Sequence, residues 1–230
     1  MTSTVSGKAL IHSLYDRPMS GQAIEDRSFQ LIDEEAPAHG FSPEQWVVVR
    51  RMIHTVADFG LLDAVRFSPD ALDCGKKALL AGRHIYVDSS MIRSGLSLPR
   101  LRSVFSGYRE EDVVCHVADE DVASEAREKG LPRSLFAVRK AVPLLDGGIA
   151  VFGNAPVALM ELNRLIMEGQ VRPALVVAMP VGFVHVVESK EELMSLGIPY
   201  VAVAGRRGGS TLAVSVLHAL CSLAGNPVSA

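Results

Sequence analysis

The second half of this chain alternates between two kinds of segment, and that rhythm limits its fold more than any other feature. Short apolar runs rich in β-branched residues recur at 84–88, 113–117, 149–152, 175–179 and 200–204. Each has the length of a strand buried on both faces. Helical patterns separate the later ones, at 119–129 with 134–145, then 156–168, 190–196 and 210–223. Such alternation predicts a doubly wound parallel sheet of about five strands, with right-handed crossovers and helices on both faces. The first half reads mainly helical. Residues 20–35 carry Ile24, Phe29, Leu31 and Ile32, and a break follows at Pro37 and Gly40. Ser42 with Gln45 three residues on is a capping-box pattern. It opens a helix expected over 43–59, with Val47, Val48, Met52, Ile53 and Val56 on its buried stripe. Another is expected over 69–81, stopping at Gly82. With no repeat and no linker, residues 1–230 are expected to form a single α/β domain with a helical N-terminal part and a flexible tail at 1–10.

Composition narrows the function classes. A hydrophobic fraction of 48% and a charged fraction of 21% exclude disorder or coiled coil as a description of the whole chain. The net charge of −3 argues against a general nucleic-acid binder. Cys74, Cys115 and Cys221 are far apart and form no C-x-x-C pair, so reduced thiols are expected and a zinc site is not. The N-terminal residues are polar, and the most apolar stretch, 173–187, is short and broken by Pro180 and Gly182. A soluble, cytoplasmic protein with no membrane or nucleic-acid partner is the expectation. Arginine makes up 17 of the 23 basic residues. Its planar fork suits carboxylate or phosphate, although codon bias accounts for the same count.

In open parallel sheets ligands bind beyond the carboxyl ends of the strands. Here those ends carry Asp88-Ser89-Ser90-Met91, Gly153-Asn154-Ala155-Pro156, Pro180-Val181-Gly182-Phe183 and Gly205-Arg206-Arg207-Gly208-Gly209-Ser210. The last is the richest, with two arginines, two glycines that admit a close ligand, and Ser210 placed to cap the next helix. It is not a P-loop, and no G-x-G-x-x-G follows any strand, so a dinucleotide is unsupported. A carboxylate-bearing ligand suits the arginines at least as well as a phosphate. Proline at a helix start explains Asn154-Ala155-Pro156 structurally, with Asn154 as a secondary ligand candidate. On the helix over 43–59, Arg51 and His54 share a face, and Asp58 four residues on could hold a ring nitrogen of His54. A surface ion pair with a satisfied histidine accounts for the same residues. In Arg27-Ser28-Phe29, Ser28 either meets a ligand or bonds its own backbone. In Glu188-Ser189-Lys190, Glu188 or Ser189 caps a helix, and Lys190 either reaches a carboxylate or stays solvated. The remaining histidines, His218 among them, read as structural.

Taken in order, Arg27-Ser28-Phe29, Arg51-Met52-Ile53-His54, Gly153-Asn154-Ala155-Pro156, Pro180-Val181-Gly182-Phe183-Val184, Glu188-Ser189-Lys190 and 205–210 resemble the precorrin-8X methylmutase family over nearly the whole chain. The resemblance implies a flavodoxin-like fold and a cofactor-free, metal-free isomerase that forms homodimers. Such an enzyme moves a methyl group from C-11 to C-12 of precorrin-8X or cobalt-precorrin-8 by a [1,5]-sigmatropic shift, giving the corrin product. It places the catalytic proton donor at His54 and substrate contacts at Ser28 and Arg51. Arg27, Asn154, Lys190, Arg206, Arg207 and Ser210 are the further contact candidates for the ring's carboxylates. The chain departs from the family pattern at His185-Val186-Val187, at Val157, and at His218, a position often held by asparagine. Two rival readings stand beside it: a non-catalytic tetrapyrrole carrier, and a nucleotide or phosphate binder using residues 205–210.

Overall fold

The computed structural model describes residues 9–225. Most of the expected tail, residues 1–8, therefore lies outside the described residues. The chain divides into two compact units, one ending at Ala38 and one beginning at His39. The first contains α1 (Ile11–Asp16) and α2 (Gly21–Glu35). The Ser20 hydroxyl caps α2 by accepting the Ala23 N–H.

The second unit is a sheet with helices on both faces. It runs α3 (Pro43–Val56), β1 (Val65–Phe67), α4 (Ala71–Leu80), β2 (Ile85–Val87), α5 (Ser90–Gly95), α6 (Leu98–Val104), β3 (Val113–Val114), α7 (Glu120–Lys129) and α8 (Arg133–Leu145). It continues through β4 (Ile149–Phe152), α9 (Pro156–Met167), β5 (Leu175–Ala178), α10 (Val186–Ser195), β6 (Tyr200–Val203) and α11 (Ser210–Gly225). The six strands lie in the order β1-β6-β5-β4-β2-β3. Five are parallel, as the alternation predicts. β1 is the addition, pairing antiparallel with β6 through Val65–Val203 and Phe67–Val201. Its three residues are too few to show a period.

The strand alternation sorts the core into two layers. Tyr86, Ala150, Phe152, Val176, Ala178 and Ala202 face α8, α9 and α10, where they meet Val138, Leu159, Leu162 and Leu193. The intervening strand residues point the other way, toward α4 and α11; a methyl group on Gly75 of α4 would stand 2.8 Å from the Leu175 side chain. On that side α11 packs most extensively against α3. The capping box at Ser42 forms as expected: Gln45 N–H donates to Ser42 Oγ and Ser42 N–H to Gln45 Oε1.

Two expectations are corrected and two helices are added. α3 ends at Val56, because Ala57 takes the left-handed conformation at φ 50° and closes the helix. α5 and α6 fall in a stretch to which the sequence pattern assigns no element, each started by a serine cap, Ser89 and Ser97. α10 begins at Val186 rather than at Lys190. Glu188, Ser189 and Lys190 therefore lie within a helix instead of opening it.

Candidate active site

α3, α5 and α11 enclose a cleft of about 320 Å³. One wall is the last turns of α3, where Arg51, His54 and Thr55 follow the i, i+3, i+4 rule on the face beside the buried stripe of Val48, Val49, Met52 and Ile53. The α11 wall presents Ser210, Thr211, Val214 and His218, and α5 closes the cleft with Met91 and Gly95. α5 and α11 approach closely, since a methyl group at Gly95 would stand 2.9 Å from Val214 Cγ2. Polar groups thus stand at defined points of a largely apolar hollow, the usual make-up of a small-molecule site. Among the described residues no group of histidine, cysteine and carboxylate side chains is arranged to hold a metal ion.

Beside this cleft lies the point where the strand order reverses, between β2 and β4. The order of the parallel strands is the flavodoxin one, and the rule for such sheets puts an anionic ligand in that crevice. Here it is occupied from within. The Asp88 carboxylate, only 1% exposed at the end of β2, accepts the backbone N–H groups of Gly153, Asn154 and Ala155 at 3.0, 2.9 and 2.7 Å. Those donors lead into α9, so Asp88 caps that helix from another strand. Burial raises its carboxyl above the ordinary range, against the pull of the three donors. The next residue, Ser89, ties the neighbouring helices together. Ser89 caps α5 and its hydroxyl meets that of Ser210 at 3.1 Å. Gly153 allows the contact, because a methyl group there would stand 2.7 Å from Ser210 Cα.

The structure brings Arg51, His54 and Ser210 together in the cleft. Ser210 is not the cap of α11: Gly209 precedes the helix at φ 131°, and Ala213 N–H returns to its carbonyl. Asn154 is exposed at the end of β4, its backbone N–H held by Asp88. Arg206 is exposed and stacks over Phe183, 5.4 Å from the ring centre. Arg207 pairs with Asp58 at 2.8 Å. Asp58 stands beyond the end of α3, where it also caps Gly60 N–H, so the helical i+4 spacing to His54 does not apply. Lys190 is wholly buried. Its ammonium donates to the Gly205 and Arg207 carbonyls at 3.0 and 2.7 Å, which ties α10 to the arginine loop from the inside. Burial pulls its pKa down to about 8. In the N-terminal unit, the Ser28 hydroxyl donates to the Ile24 carbonyl at 2.8 Å, the backbone alternative of the sequence reading, and Arg27 reaches Gln30 and Glu34. Asp88 and His218 are the residues that sequence reasoning passed over. Asp88 stood at a strand end without a partner in view. His218 shares the i, i+3, i+7 stripe with Thr211 and Val214, a pattern that could have flagged it.

Strand order, cleft and the Asp88 cap define a flavodoxin-like α/β protein that keeps an imidazole and a guanidinium together beside a closed switch point. A family model described as precorrin-8X methylmutase matches residues 23–223. The chain is 41% identical to the cobalt-precorrin-8 methylmutase of Priestia megaterium, over 90% of each chain. It is 38% identical to the precorrin-8X methylmutase of Pseudomonas aeruginosa, over 91% of this chain and 99% of that one. Among solved structures, the precorrin-8X methylmutase of Thermus thermophilus superposes with a TM-score of 0.81 at 48% identity, covering 89% of this chain and 97% of that one. The chain belongs to the precorrin-8X methylmutase family, a family of methyl-migration isomerases of cobalamin biosynthesis.

Proposed function

We propose that this chain isomerises precorrin-8X or cobalt-precorrin-8, moving one methyl group from C-11 to C-12 of the macrocycle, with His54 as the proton donor. The observation that carries this reading is the meeting of His54 and Arg51 in one cleft of a chain matched to the family from residue 23 to residue 223. An imidazole ordinarily titrates near neutrality, so it can lend and recover a proton at physiological pH. A proton delivered to the conjugated ring draws electron density away from the carbon framework. The methyl group then shifts to the neighbouring carbon, and the proton returns to His54. No atom is gained or lost. Met91 and Val214 give the cleft apolar walls, and a ring seated over them would keep water from the transferred charge and strengthen its effect.

A corrinoid is larger than 320 Å³, so the cleft takes one edge of the ring and the remainder lies beyond its rim. Arg51 meets a carboxylate at that edge, with Ser210 beside it. Arg206, Arg207 and Asn154 are assigned to carboxylates farther along the strand ends, Arg207 by exchange with Asp58. Lys190 serves through the loop it holds. Ser28 and Arg27 keep the substrate contacts that the resemblance implies. A homodimer working in the cytoplasm completes the proposal. It is in keeping with the exposed apolar residues Val181, Phe183 and Val184, and with the absence, among the described residues, of any helix long and apolar enough to cross a membrane.

The carrier reading is not favoured, since the relatives above are named methylmutases. Incubating the protein with excess precorrin-8X, and separately with its cobalt form, while following the visible spectrum tests both. Many equivalents of product per chain are expected with at least one. A single equivalent would identify a carrier, and an unchanged spectrum with folded protein would overturn the proposal.

A further inference from the structure

The cleft holds a second imidazole, and its hydrogen-bonding defines where its proton sits. His218 lies on α11, on the same wall as Thr211 and Val214. Its Nε2 stands 3.1 Å from the backbone nitrogen of Ser97, the residue that caps α6. A backbone N–H can only donate, so Nε2 accepts and must carry a lone pair. The proton of the neutral ring is therefore on Nδ1.

We propose that His218 is a specificity-determining residue for the corrin substrate: its Nδ1–H, fixed by the Ser97 bond on the far side of the ring, donates to a carboxylate oxygen at the edge that enters the cleft. This rests on the reading of the cleft as the substrate site and extends it. The two imidazoles then divide the work. His54 exchanges a proton with the ring, whereas His218 keeps its own and measures the position of the rim. A buried site built to donate a hydrogen bond discriminates strongly against ligands without the matching acceptor.

Two isosteric substitutions separate this role from a purely structural one. An asparagine amide reaches the position of Nδ1 and can donate there, but it cannot reach Ser97. A glutamine amide reaches the position of Nε2 and can accept the Ser97 N–H, but offers no donor at Nδ1. Steady-state kinetics on precorrin-8X are measured for His218→Ala, His218→Asn and His218→Gln, with the melting temperature of each. We expect Ala and Gln to raise KM about tenfold with little change in kcat, and Asn to recover most of that loss. Recovery by Gln instead of Asn, or an unaltered KM in all three, would overturn the proposal. Should the variants not fold, 15N NMR of histidine-labelled wild-type protein decides: a protonated Nδ1 is required, and a protonated Nε2 refutes it. Wild-type protein without turnover would sink the parent reading, while the tautomer would still be read independently.

Discussion

His54 occupies the last turn of α3, three residues before Ala57 turns the chain out of the helix. Its imidazole is exposed on the helix face that lines the cleft. The same stop carries Asp58 away to Gly60 and Arg207. A group that donates a proton during the reaction contributes to the transition state more than to binding. His54→Ala should therefore retain affinity for the corrin product while losing roughly 10²–10⁴ in turnover. A product titration beside a turnover assay checks this, and wild-type turnover in the variant would remove His54 from the mechanism. In the proposed mechanism Arg51 differs in kind, since its fixed charge would hold substrate and move no proton.

At the scale of the element, α10 shows how a buried cation organises a loop. Val186, Ser189, Lys190 and Leu193 form its inward stripe, so Lys190 enters the protein beside two leucine-like neighbours and finds only carbonyls. With its pKa lowered to about 8 from 10.5, the native chain releases a proton that the unfolded chain still holds between those values. The unfolded state binds more protons there, so this group makes stability rise with pH across that window. Below about pH 8 the native state bears the whole cost of the buried charge. Urea midpoints of the wild type should thus gain on those of Lys190→Met between about pH 8 and 10.5. Parallel midpoints would show that the ammonium stays charged throughout. Neutral Lys190 still has two N–H groups for its two carbonyls, so the loop should remain closed over that range. α3 was legible beforehand because Ser42 and Gln45 mark its start and its apolar stripe has the helical period. α10 was not, because its start is His185 in a left-handed conformation at φ 57°, with no side-chain cap to read. Neither sequence reading of Lys190, at a ligand carboxylate or in solvent, therefore predicts that it turns inward. α5, α6 and β1 are too short for periodicity to resolve them, and the cleft needs α5 as its third wall. His54 and Arg51 were visible as neighbours on one helix, whereas the Asp88 cap joins residues 65 to 67 positions apart, a span local patterns do not report.

Over the whole molecule, the parallel strands give the alternation its expected result, and the antiparallel β1 extends the sheet beyond β6. What distinguishes this chain from a nucleotide binder of similar topology is the closed point between β2 and β4. Asp88 meets three N–H groups there, and losing them uncompensated should cost about 3 kcal/mol or more. Asp88→Ala is therefore expected to lower the urea midpoint markedly. The consequence runs further, because the emptied socket would still present its three donors to solvent species small enough to enter. Formate, which carries the missing carboxylate without its tether, should restore part of the variant's midpoint in a saturable way and leave the wild type indifferent. Equal effects of formate on both proteins would mean that the turn collapses once Asp88 is gone, and that the chain's own side chain is what keeps the socket in shape.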